Sequence, residues 1–90
     1  MQHVVYPAVF TKDNDGGYLV TFPDFYGVTE GDNLVEAFNM AGDCLLAMIN
    51  CEETLPTPTP YEKVVRDHPN DIVLLVKPCY WVHPNLQKQS

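Results

Sequence analysis

Alternation of apolar and polar residues predicts a hairpin of two strands at the start of the chain. Val4 to Thr11 is rich in β-branched and aromatic residues, and Tyr18 to Phe22 places every second side chain on one face. Between them, Lys12 to Gly17 (KDNDGG) offers residues that tolerate the positive φ of a hairpin tip. Pro7 lacks a backbone donor, so we expect its strand at a sheet edge, or Pro7 where no ladder bond is needed.

The spacing of apolar residues then changes from that of a strand to that of a helix. Pro23 and Asp24 break the second strand, and Phe25 to Glu30 predicts a short third one. Asn33 is a good N-cap with Glu36 three residues later, which is typical of a capping box. The following apolar residues lie on one helical face and predict a core stripe that ends near Asn50 to Glu53: Leu34, Ala37, Phe38, Ala41, Leu45 and Met48.

The remainder predicts a crossover and a last strand. Leu55 to Pro60 (LPTPTP) is a stiff extended segment, and Tyr61 to Asp67 has room for one helical turn. Asp71 to Lys77 (DIVLLVK) is nearly all apolar, which indicates a central strand covered on both faces and parallel to a neighbour. The predicted fold class is α+β: one domain of order β-β-β-α-β, a small mixed sheet with one long helix packed on it.

Size and charge restrict the classes of function. Ninety residues with 46% hydrophobic content form one globular domain, small enough that a homo-oligomer, dimer or tetramer, is expected. Twelve acidic residues against five basic ones give a formal charge of −7. Such a chain repels phosphate backbones and attracts basic proteins, so we expect no direct binding of nucleic acid.

Cysteine usage and the absence of long apolar segments indicate a cytoplasmic protein. Cys44, Cys51 and Cys79 are odd in number and form no CxxC pair, as expected of free thiols in a reducing compartment. No segment reaches the roughly 18 apolar residues of a membrane helix, and no secretory signal is visible. His3, His68 and His83 lack the spacing of zinc ligands. We expect no metal, cofactor or small-molecule ligand.

An ordered set of motifs identifies a family. YPAVF is followed by DNDGGYLVTFPD, by Gly27, by Gly31-Asp32, and by a capped helix carrying Glu36-Ala37. Over about residues 4–77 this set resembles the HicB antitoxins. The resemblance implies a partial ribonuclease-H-like fold of order β-β-β-α-β. It also implies a HicA-like partner, a small basic toxin that cleaves mRNA with a histidine and that the antitoxin neutralises by covering its active surface.

The C-terminal end departs from the pattern of that family. Many HicB antitoxins carry a C-terminal DNA-binding domain and repress their own operon. After Lys77 only PCYWVHPNLQKQS remains, which is too short for such a module. We therefore expect a HicB-like antitoxin domain over residues 1–77 and a tail over residues 78–90 in which no DNA-binding domain is visible. The chain is then either a shortened form of a longer protein or a stand-alone member of the family. The aromatic pair Tyr80-Trp81 in that tail is not part of the family pattern.

The corner from Pro23 to Asp32 is the predicted partner-binding site. Asp24 ends a strand and precedes the aromatic pair Phe25-Tyr26, an arrangement suited to contact with a basic protein. Glu30 and Asp32 lie at the other end of the third strand. Turn formation is the alternative role of Asp24, and Asp32 also complements the helix dipole. The predicted contact residues are Asp24, Phe25, Tyr26, Glu30 and Asp32.

Three functions follow from these features, and the first is favoured. In the first hypothesis, the chain is a non-enzymatic antitoxin that occludes a HicA-like toxin. Alternatively, it is a stand-alone oligomeric interaction protein that uses a strand edge carrying Pro7 and the Tyr80-Trp81 tail. The least favoured hypothesis is a degenerate ribonuclease-H-like nuclease in which Asp13, Asp15 and Asp24 hold divalent metal. No acid lies inside the first strand, where such an active site would need one.

Overall fold

The computed structural model describes residues 4–78, which form four strands and two helices. This confirms the predicted α+β domain and the order of its elements, with a second helix in the crossover. His3, His83, Cys79 and the Tyr80-Trp81 tail lie outside the described residues. The elements are β1 (Tyr6–Lys12), β2 (Tyr18–Thr21), β3 (Val28–Gly31), α1 (Leu34–Asn50), α2 (Tyr61–Asp67) and β4 (Ile72–Val76).

The four strands form one sheet in the order β3-β2-β1-β4, and every neighbouring pair is antiparallel. The β1–β2 hairpin closes at a tip where Gly16 has φ +93°. Asp13 stabilises that tip because its Oδ1 accepts from the backbone N–H groups of Asp15, at 2.9 Å, and of Gly17, at 3.1 Å. The predicted hairpin is therefore confirmed, including the turn-forming role of Asp13.

The predicted parallel placement of the last strand is wrong. β4 pairs antiparallel with β1, with Tyr6 opposite Val76 and Phe10 opposite Ile72. The chain crosses the length of the sheet twice after β3. First α1 returns along one face, and then the Pro-Thr segment leads to α2, which packs on the other face. This second crossing brings the chain to β4 from the opposite end. A single crossover helix, as the prediction assumed, would have given a parallel strand and a mixed sheet.

The central strand is β1 rather than β4. Five consecutive residues of β1, Tyr6 to Phe10, are buried, whereas β4 lies at a sheet edge with Ile72 37% and Leu75 48% exposed. Of the two placements predicted for Pro7, the edge strand is wrong, and the position outside a strand pairing is the one that the structure favours. Pro7 is opposite Leu75 and lies outside the part of β1 that pairs with β2, which begins at Val9. The argument that Pro7 marks a free edge for oligomerisation loses its basis.

Each face of the sheet packs against one helix. A small second core joins Val9 and Val73 to Val64 of α2. The main core lies under α1 and includes most of the predicted stripe, although Phe38 remains 40% exposed and only stacks on Phe10 at a centroid distance of 6.3 Å. The buried residues of the main core are Tyr6, Ala8, Phe10, Val20, Phe22, Phe25, Ala37, Ala41, Leu45 and Val76.

The start of α1 confirms the predicted cap with one difference. Asn33 Oδ1 accepts from the Glu36 N–H at 2.8 Å, as an N-cap requires. Glu36 Oε1 accepts from the N–H of Asp32 at 2.7 Å, one residue before the donor that a capping box uses. This reciprocal pair fixes the junction between β3 and α1, and it orders the backbone of Asp32.

Candidate partner-binding surface

Asp24 stabilises the corner by binding the Pro-Thr segment. Its Oδ1 accepts from the Thr59 hydroxyl at 2.7 Å, and its Oδ2 accepts from the Thr59 N–H at 3.0 Å. The Tyr6 hydroxyl donates to the Pro56 carbonyl at 2.7 Å, so the same segment is held twice. Burial raises the pKa of the Tyr6 phenol, and the negative charge of Asp24 raises it further. Both Asp24 oxygens are thus engaged within the domain, and its direct contact with a partner stays a prediction.

The aromatic pair of the corner divides between core and surface. Phe25 is 9% exposed and meets the Tyr6 ring edge-on at 4.8 Å and the Phe22 ring at 6.4 Å. Tyr26 is fully exposed. Phe25 therefore anchors the corner in the main core, and Tyr26 is the aromatic side chain that this anchor presents to solvent.

A small apolar cavity, open to solvent, lies between Tyr26 and the last turns of α1. It has a volume of about 310 Å³, and Gly27, Cys44, Ala47 and Met48 line it together with the aromatic pair. Burial raises the pKa of the Cys44 thiol, so this residue is a neutral, apolar wall. Cys44 also packs against the main core.

The two acids at the other end of β3 lie close to two acids of the predicted hairpin turn. Glu30 and Asp32 share a recess of about 260 Å³ with Asp13 and Asp15 of the hairpin tip. The register explains this proximity, since Tyr18 is opposite Gly31 and the tip thereby lies beside the end of β3. Asp13 and Asp15 were missed as surface candidates. A β2–β3 register derived from the alternation of both strands would have revealed them.

Sequence comparison with two curated proteins identifies the family of this chain. The chain is 33% identical to the Antitoxin HicB of Escherichia coli (strain K12) over 76 residues, which cover 79% of this chain and 54% of that protein. It is 34% identical to Antitoxin HicB 1 of Photorhabdus laumondii subsp. laumondii over 65 residues, which cover 67% of this chain and 42% of that protein. The chain belongs to the HicB antitoxin family.

This HicB family member spans about half the length of the curated relatives that it matches. No family model matches it, and no solved structure matches it. Among residues 4–78, no helix is long and apolar enough to cross a membrane. Over the same range, no three His, Cys, Asp or Glu side chains are placed to hold a metal ion. The carboxylates around the hairpin tip therefore line a recess without forming a coordination site.

Charge in this HicB domain is strongly segregated along the chain. Residues 13–62 carry ten of the twelve acidic residues and none of the five lysines and arginines. They include β2, β3 and α1, whereas Lys63 and Arg66 lie on α2 at the opposite face of the sheet. We call the exposed side formed by β3 and α1 the acidic side. Nine of the ten acids belong to it, namely Asp13, Asp15, Asp24, Glu30, Asp32, Glu36, Asp43, Glu52 and Glu53, whereas Glu62 is on α2 and lies outside it.

The two ends of the acidic side are close enough for one partner to cover both. Gly27 lies against Met48 near the end of α1, and Gly31 lies against Ala37 near its start. Eleven residues of helix between these contacts correspond to about 16 Å. A protein interface of standard size covers roughly 800 Å² on each partner. Tyr26, Glu30 and Asp32 therefore fit within one interface.

Proposed function

We propose that this HicB family member neutralises a HicA-like, mRNA-cleaving toxin in the cytoplasm by covering its active surface with the acidic side. The observation that carries the proposal is the segregation of charge, with ten acids and no lysine or arginine in residues 13–62. The name antitoxin, which its relatives bear, supports it. The role is binding rather than catalysis, because occluding a surface requires no reaction by the antitoxin.

Charge on the acidic side acts first on the rate of encounter. A basic toxin is attracted to this predominantly acidic surface, on which Lys12 beside the hairpin tip is outnumbered by carboxylates. The attraction raises the association rate and makes it fall with added salt. Glu30 and Asp32 are exposed, and Asp13 and Asp15 add to the negative electrostatic potential around them. Tyr26 adds a fully exposed aromatic contact of the type that dominates binding energy at interfaces. Asp24 and Phe25 serve this surface chiefly by holding the corner in place.

The test is a reconstitution with a separately purified HicA-like toxin. Stoichiometric addition of the wild-type protein should stop cleavage of an mRNA substrate. The double variant Glu30→Gln/Asp32→Asn should bind about tenfold more weakly, mainly through slower association at low salt. Glu62→Gln removes one charge from exposed α2, outside the acidic side, and is the control, with an expected change below about twofold. Unchanged cleavage in excess wild-type protein would sink the proposal.

Self-association remains compatible with this function and is proposed with it. The described sheet leaves the outer sides of β3 and β4 unpaired, and a free strand edge is a common site of pairing between copies. Sedimentation velocity of the isolated protein at several concentrations distinguishes monomer, dimer and tetramer. A monomer at all concentrations would remove the homo-oligomer from the proposal and leave toxin binding intact.

A further inference from the structure

The end of α1 concentrates negative charge, and none of the ion pairs among residues 4–78 involves it. The helix ends at Asn50 with Cys51 as its C-cap, and its last turn contains no basic residue. Glu52 and Glu53 follow directly and are exposed. The unpaired carbonyls of a helix C-terminus carry partial negative charge, which Lys or Arg commonly offsets. Here carboxylates are added to that charge, so the site favours a cation from elsewhere.

The apolar cavity beside Tyr26 opens next to this charge. Ala47, Met48 and Cys44 form its walls, and Tyr26 and Glu52 border it. Gly27 allows the close approach, since a Cβ at that position would lie 2.2 Å from Met48 Sδ and 3.2 Å from Cys44 Sγ. A volume of about 310 Å³ is at the low end for ligand pockets and suits a single long side chain.

Glu52 and Tyr26 also border a second recess, so the two side chains form a shared rim. That recess has a volume of about 290 Å³ and includes Asp24 and Leu55. A group placed at the rim therefore meets an exposed aromatic ring and a carboxylate at once. Few side chains satisfy an apolar wall, an aromatic face and a carboxylate together.

We propose that this cavity receives an arginine side chain of the basic partner, an inference that rests on the proposed function. The aliphatic stem packs on Ala47 and Met48, as long cationic side chains do on apolar surface. The guanidinium stacks on the Tyr26 ring and donates to the Glu52 carboxylate. The C-terminal dipole of α1 adds to the attraction. Lysine fits less well because its ammonium neither stacks nor forms a bidentate pair.

Binding of the toxin to pocket variants tests the assignment. Tyr26 and Ala47 are exposed, so Tyr26→Ala and Ala47→Trp should leave the fold intact, and the new indole fills the cavity. Each should weaken binding by about tenfold, and Glu52→Gln by roughly three- to tenfold. Glu62→Gln is again the charge-matched control. If all three pocket variants bind the toxin as tightly as the wild-type protein, the arginine site is refuted. The proposed function is not affected by that result.

A second measurement is independent of any toxin. Titration of the ¹⁵N-labelled domain with N-acetyl-arginine amide should shift the amide signals of Tyr26, Gly27, Ala47 and Glu52 at millimolar concentration. The same titration of the Ala47→Trp variant should leave them unchanged, and N-acetyl-lysine amide should produce smaller shifts. Shifts spread evenly over the acidic side, or equal in both proteins, would show diffuse charge attraction only and would refute the pocket.

Discussion

Gly31 is the position where a single methyl group should do most damage. A Cβ added there would lie 2.4 Å from the backbone N of Ala37, 2.6 Å from its Cα and 2.9 Å from the carbonyl carbon of Glu36. All three atoms belong to the backbone at the start of α1, so no side-chain rotation relieves the contact. The Gly31→Ala variant must therefore move β3 away from the helix or distort the first helical turn.

The expected cost follows from that displacement. Overpacking of a well-packed core costs about 1–3 kcal/mol, and sometimes more. Gly31→Ala should reach roughly 3 kcal/mol because moving the helix also loosens Ala37 and Ala41, which are fully buried. A domain of this size has a free energy of unfolding of about 5–13 kcal/mol. The loss corresponds to a fall in Tm of roughly 12–24 °C.

Urea unfolding followed by circular dichroism measures this loss, with Gly16→Ala as the control. Gly16 has φ +93° and open space around it, so its alanine variant meets backbone strain alone. That strain costs roughly 1–2 kcal/mol. The double variant Gly31→Ala/Ala37→Gly should not recover stability, because the clash involves the helix backbone. A loss below about 1 kcal/mol for Gly31→Ala would refute the close approach of β3 and α1.

Three further changes test other contacts of the domain. Asn33→Ala removes the side-chain acceptor for the Glu36 N–H and should lower the free energy of unfolding by about 1 kcal/mol in urea titrations. Thr59→Val removes one of the two hydrogen bonds to Asp24 and should lower the free energy of unfolding by about 1–2 kcal/mol. The Asp24 carboxylate is preserved, so toxin binding should persist if Asp24 only holds the corner in place. Burial raises the pKa of the Cys44 thiol whereas Cys51 is exposed, so peptide mapping after iodoacetamide treatment at pH 8 should find Cys51 alkylated before Cys44. Faster alkylation at Cys44 would contradict its burial.

Local signals in the sequence were sufficient for the hairpin and the long helix. The KDNDGG turn and the Asn33 cap are decided by contacts within five residues, and both form as predicted. The order of elements could also be predicted, because each change in the spacing of apolar residues marks a boundary between a strand and a helix. The third strand begins at Val28 rather than Phe25, since the Phe25 ring is drawn into the main core.

The placement of β4 depends on contacts between residues that are far apart in the sequence. An apolar run is typical of a central strand, but Ile72 and Leu75 remain exposed here. α2 covers only the middle of the outer face through Val64. Whether the chain crosses the sheet once or twice was decided by where the Pro-Thr segment docks. That docking uses the Asp24–Thr59 and Tyr6–Pro56 hydrogen bonds, between residues 35 and 50 positions apart.

Two glycines explain why the candidate contacts have fixed positions. Gly27 precedes β3 and Gly31 ends it, and each lies where the backbone touches α1, at Met48 and at Ala37 respectively. Tyr26 and Asp32 are their immediate neighbours in sequence. Each exposed contact residue is therefore attached to a point at which side-chain volume is excluded and the backbone has little freedom. A surface held in this way loses little conformational entropy on binding, which favours tight association with the proposed partner.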